Sequence, residues 1–78
     1  LHTLTQTEYV GMYVKRAFPT LARDNYEHMW VKVVYATRYG SLLGTLSNDP
    51  MLDVGLKYGD TTVIQIDEIE DVFPNEGR

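Results

Sequence analysis

Glu27 and His28 are the pair in this chain best suited to chemistry. A carboxylate beside an imidazole can exchange a proton. With Asp60 as a third group, the set would suit a small hydrolase or a metal-dependent enzyme. The rest of the chain gives these residues little support. The second of the two histidines, His2, lies in the N-terminal arm, and there is no cysteine. Two imidazoles without a thiolate make a poor zinc site. A strand-edge histidine satisfied by a neighbouring side chain accounts for His28 more simply. Nucleophilic chemistry fares no better, because Ser41 and Ser47 sit among turn formers with no histidine near them in sequence. Gly40 and Gly44 are only a glycine spacing, neither a phosphate loop nor a dinucleotide fingerprint. No catalytic set assembles, and no cofactor is expected.

Binding is better served. Trp30 stands at the centre of the run Glu27-His28-Met29-Trp30-Val31-Lys32-Val33-Val34-Tyr35. An indole in a small β-domain usually packs in the core, yet alternation puts Trp30 on the same strand face as Lys32, and a ligand-stacking role stays open. Tyr26, Tyr35, Tyr39 and Tyr58 are candidates for exposed aromatic contacts. Asp67, Glu68, Glu70 and Asp71 form an acidic cluster around Ile66 and Ile69. A calcium site needs more oxygens and a loop glycine, neither of which is evident. The cluster reads either as a solvated face or as a patch for a basic partner. Asn48-Asp49-Pro50 and Gly59-Asp60 read as turns, with the Asn or Asp side chain capping its own backbone. The contact candidates are therefore Trp30, His28, Tyr35, Glu68, Glu70 and Asp71.

These residues need a scaffold of short strands. Thr5-Gln6-Thr7-Glu8 has the spacing of a capping box, so residues 1–10 form an arm or a short helical turn. Residues 12–18 carry a helical stripe at Val10, Tyr13, Val14 and Ala17, but their Tyr, Val and Phe content favours a strand ending at Pro19. Polar, broken sequence makes 19–28 a loop. Residues 29–37 form the clearest strand, with Val31, Val33 and Tyr35 on one face and Trp30, Lys32, Val34 and Ala36 on the other. Bulk on both faces marks it as central. Arg38-Tyr39-Gly40 turns the chain, with glycine supplying the positive φ, and 41–46 return antiparallel. Ser47 to Pro50 ends that strand. Residues 51–58 cross as a loop with room for a 3₁₀ turn, and 61–66 form a further strand. Residues 67–72 read as a helical turn or a short closing strand, and 74–78 as a frayed tail. The expected core joins Val31, Val33, Leu46, Ile64 and Ile66. The fold class is mostly β, or α+β with one short helical turn. It is a strongly bent antiparallel sheet or an SH3-like barrel of four to five strands.

Seventy-eight residues read as one domain, 1–78, with a thin stability margin and no disulfide to staple it. A net charge of −4 with seven scattered basic residues argues against a nucleic-acid partner. No apolar run approaches the ~18 residues of a membrane span. Leu1-His2-Thr3-Leu4 has neither the basic nor the apolar region of a signal peptide. The missing initiator Met reads as a trimmed chain or a segment of a longer protein. The absence of cysteine fits a reducing, cytoplasmic setting.

Several pieces then occur in a recognisable order. They are Val10-Gly11-Met12-Tyr13-Val14-Lys15, Glu27-His28-Met29-Trp30-Val31-Lys32-Val33, Gly44-Thr45-Leu46-Ser47-Asn48-Asp49-Pro50, Leu56-Lys57-Tyr58-Gly59-Asp60 and Ile69-Glu70-Asp71. The order resembles a family of small bacterial proteins termed domain of unknown function 2314, over residues 10–72. The resemblance implies a small, mostly β, cytoplasmic domain and favours strand over 12–18. It implies no activity, substrate or cofactor. The chain departs from that pattern where Ala17-Phe18 runs straight into Pro19 instead of a longer polar hairpin tip. The functional expectation is a non-enzymatic interaction module for a protein partner or for self-association. The alternatives are a small-molecule sensor built on Trp30, or a small hydrolase or metal-dependent enzyme using His28, Glu27 and Asp60.

Overall fold

The computed structural model describes residues 4–74. The expected frayed tail beyond Pro74 and the arm residue His2 lie outside the described residues. Five strands form one antiparallel sheet: β1 (Tyr13–Pro19), β2 (Tyr26–Ala36), β3 (Leu42–Leu46), β4 (Thr61–Ile64) and β5 (Asp71–Phe73). The order across the sheet is β4-β3-β2-β1-β5, so four strands meander and the fifth returns to the far edge beside β1. The bent-sheet alternative is the one that forms. Among the described residues no ladder joins β4 to β5, so the sheet stays open and does not close as a barrel.

The bend has a geometric cause. In a flat sheet β4 and β5 would lie four strand spacings apart, ~19 Å. Only the six residues 65–70 connect them. Three of these, Ile66–Glu68, are wound into a 3₁₀ turn, and Ile66 and Ile69 press against the core. A segment with that detour has no reach to spare across four gaps, and curled edges leave it room to pack against the core. The core fills the hollow, with Val14, Phe18, Met29, Val31, Val33, Leu42, Leu46 and Ile64 contributed by strands and Tyr9 and Val54 by the flanking segments.

Local chemistry explains most boundaries. Glu8 accepts the Thr5 N–H at 2.7 Å and starts a 3₁₀ turn over Gln6–Tyr9, as the capping-box spacing predicts. Gln6 Nε2 then donates to the carbonyls of Thr37 and Ser41, which fastens this turn to the β2–β3 hairpin. That hairpin turns at residues 38–40, with Gly40 at φ +86°. Thr37 Oγ1 accepts the N–H groups of Tyr39 and Ser41 across the turn.

Three expectations need correction. The loop expected over 19–28 shrinks to 20–25, because Pro19 pairs with Tyr26, Phe18 with Glu27 and Ala17 with His28. Polar residues continue a strand perfectly well when one face is open to water. Tyr35 does not join Val31 and Val33 on the core face. Val33 pairs with Gly44 but Tyr35 pairs with Leu43, so Val34 is the extra residue of a β-bulge and inverts the alternation beyond it. Tyr35 is thereby left 60% exposed and the smaller Ala36 turns inward. The strand expected over 61–66 stops at Ile64, and Ile66 packs against the core from the 3₁₀ turn, only partly buried. Residues 67–72 combine both readings, the end of that turn and then the start of β5. Residues 51–58 cross without a 3₁₀ turn.

Candidate functional site

Register divides the sheet into two unlike faces. Every buried strand residue points to the core side. The alternating residues on the other side, from Tyr13 and Lys15 through Trp30 and Lys32 to Leu43 and Val63, are half-buried or exposed, so no described layer covers that face.

Trp30 lies at its centre, half-buried and not in the core, which overturns the usual placement of an indole in a small β-domain. Its backbone is clamped by the segment after β3: Trp30 N–H donates to Asn48 Oδ1 at 2.6 Å, and Ser47 N–H donates to Trp30 O at 2.9 Å. Asn48 thus caps another strand and not its own turn. With the backbone held, the indole meets Phe73 edge-on, with ring centroids 6.4 Å apart and planes at 70°. Lys15, directly opposite Trp30 in the ladder, holds its ammonium 5.8 Å from the indole centroid. The next pair repeats the motif, with Lys32 opposite Tyr13 and its Nζ 5.6 Å from the phenol ring. Rings and cations alternate like a checkerboard over two neighbouring strands. Tyr13, Trp30, Ser47 and Phe73 line an open groove of about 530 Å³.

The other candidates are dispersed. Glu27 points away from His28, as neighbours on a strand must. Its carboxylate accepts the N–H groups of Met51 and Leu52 at 2.9 and 2.8 Å, which ties the crossing loop to β2. His28 Nδ1 lies 2.8 Å from Glu70 Oε1 and links β2 to the segment entering β5. Asp60 accepts the Lys57 N–H at 3.0 Å and closes a turn. Glu27, His28 and Asp60 therefore serve three separate structural contacts and do not meet in one site. Among the described residues no group of three or more His, Asp or Glu side chains is arranged to hold a metal ion. Within the acidic cluster three side chains each have a partner of their own. Glu68 turns to Arg16 at 3.3 Å, Glu70 to His28, and Asp71 Oδ1 accepts the Val72 N–H at 2.8 Å. Tyr26, Tyr35, Tyr39 and Tyr58 are all exposed, Tyr35 through the bulge that turns it to the open face beside Leu43.

Sequence reasoning singled out Trp30 but missed Tyr13, Lys15, Ser47 and Phe73. Their signal was present: aligning Tyr13 and Lys15 against Lys32 and Trp30 across the first hairpin sets aromatic against cation twice.

A family model described as "Uncharacterized protein conserved in bacteria (DUF2314)" matches residues 5–76. The chain belongs to this family. The match covers every strand of the DUF2314 sheet and all the residues that line the groove. No curated protein and no solved structure matches the chain. Among the described residues no helix is long and apolar enough to cross a membrane.

Proposed function

We propose that this DUF2314 domain is a non-enzymatic binding module that seats its ligand on the uncovered face of the sheet, at Trp30. One observation carries the reading. A large aromatic side chain that could have been buried is instead held half-open, by a clamped backbone, between a second ring and a cation. A lone exposed ring would mean little, but Tyr13, Trp30 and Phe73 form one contiguous aromatic surface, and such patches mark binding sites. The groove volume of about 530 Å³ falls in the range of small-molecule sites, which supports the sensor form of the reading over a broad protein interface. A protein partner has one observation in its favour, the apolar strip of Tyr35, Leu43 and Val63 leading to the unpaired edge of β4. In the acidic-patch form of that reading, Glu68 and Glu70 would share their part-exposed carboxylates with Arg16 and His28. We take the cytoplasm as the compartment, on the absence of cysteine.

The test is a small-molecule fragment screen read by amide chemical shifts. Hits should perturb Tyr13, Trp30, Ser47 and Phe73 together and vanish in a folded Trp30→Ala variant. Hits that map elsewhere, or that survive the substitution, would refute the assignment.

A further inference from the structure

Granting that Trp30 marks a ligand site, we infer that the groove selects small planar aromatic anions, with the ring lying among Tyr13, Trp30 and Phe73 and the acidic group held by Lys15 and Lys32. The pairing register sets this out. Tyr13 faces Lys32 and Lys15 faces Trp30 at alternate positions of one ladder, neighbours on the open face with Val14 and Val31 between them on the other, so the two ammonium groups stand diagonally across the two rings. Neither lysine has a carboxylate within ion-pair distance among the described residues, whereas Arg16 and Lys57 are paired with Glu68 and Asp60. Asp71 is the acidic residue placed to neutralise Lys15, directly opposite it in the β1–β5 ladder. One of its oxygens is committed to the Val72 N–H, and no ion pair to Lys15 forms.

In a chain of net charge −4, an aromatic groove flanked by two cations without ion-pair partners among the described residues is a local concentration of positive charge. The rings offer stacking area, and the lysines exchange weak cation–π contacts for charge-assisted hydrogen bonds once an anion arrives. The overall negative charge repels a long polyanion, so the fitting ligand is a single ring system with one acidic group, phosphate or carboxylate.

The experiment titrates the folded domain with two probes that join ring and acid, adenosine 5′-monophosphate and 1-naphthoate. Their uncharged counterparts, adenosine and 1-naphthalenemethanol, and inorganic phosphate alone are run beside them. The expected result is that at least one anionic probe shifts the Tyr13, Lys15, Trp30 and Phe73 amides and binds about tenfold or more tighter than its neutral counterpart, ~1.4 kcal/mol. Inorganic phosphate should give no saturable shift there. The double variant Lys15→Met, Lys32→Met should keep its circular dichroism and thermal midpoint and lose the preference for the charged form. Methionine preserves the apolar stems that pack beside the rings. Equal binding of charged and neutral rings would overturn the inference while leaving Trp30 as a binding site. Failure of every probe to perturb the groove would overturn both. A charge preference that survives the double variant would show that other groups hold the anion.

Discussion

Replacing Gly44 by alanine probes the close contact between β2 and β3. Gly44 sits on the core face of β3, opposite Val33. A Cβ added there would lie 2.5 Å from Lys32 O and 2.5 Å from Val31 Cγ1, well inside van der Waals contact. Val31 is fully buried and has no room to rotate away, and the carbonyl belongs to the ladder itself. The strands must therefore separate or shift, and overpacking of this kind costs ~1–3 kcal/mol. Alanine recovers ~0.5–1 kcal/mol by ordering less backbone entropy than glycine in a strand. One of the two obstructing atoms is backbone and cannot yield cheaply, which puts the overpacking cost at ~2–2.5 kcal/mol and leaves a net loss of ~1–2 kcal/mol. For a domain of this length that lowers the thermal midpoint by ~4–16 °C, out of a total stability of only ~4–12 kcal/mol. Thermal unfolding followed by far-ultraviolet circular dichroism measures it. Gly40→Asn serves as the control, since Gly40 has φ +86° and open space around its Cβ, and asparagine tolerates that conformation. An unchanged or raised midpoint in Gly44→Ala would refute the close approach of β2 and β3. A fall as large in Gly40→Asn would refute the explanation from packing.

Asn48→Ala should leave the Trp30 amide without its acceptor and cost ~1–3 kcal/mol, with the largest amide shifts at Trp30 and Ser47; shifts confined to the 48–50 turn would show that Asn48 acts locally. Glu68→Lys places a like charge against Arg16, whose side chain is only 19% exposed, so it should lower the urea midpoint clearly. Glu70→Lys touches the more exposed His28 pair and should cost no more than ~1 kcal/mol, less in high salt. Equal destabilisation by the two substitutions would contradict this ranking.

The sequence carried the scaffold wherever local chemistry decides structure. The Thr5–Glu8 spacing, the turn glycine at Gly40 and the alternation that sets Trp30 beside Lys32 all read directly, because each depends on residues within one turn or strand. The bulge at Val34 did not. Nothing in Val33-Val34-Tyr35 distinguishes a bulged strand from a regular one, and the preference for an inward, partly buried Ala36 over an inward Tyr35 arises only when β3 is in place. The early start of β2 at Tyr26 was hidden for a related reason: polar residues look like loop until it is known that one sheet face is left open. Of the groove, Trp30 was legible as a single residue and the rest was not, since Phe73 arrives from the other end of the chain by way of the β1–β5 pairing.

The single tryptophan of this chain is more than a witness to folding. An indole sealed in a core changes its surroundings completely when the protein unfolds, and its emission moves accordingly. Trp30 already meets water in the native state, with a phenyl edge and an ammonium group for company. Denaturation removes those neighbours, and anything that displaces the ammonium or screens the ring in the folded state changes them too. The domain thus carries a built-in optical gauge of occupancy, and changes in its fluorescence at fixed temperature report what has arrived on the sheet.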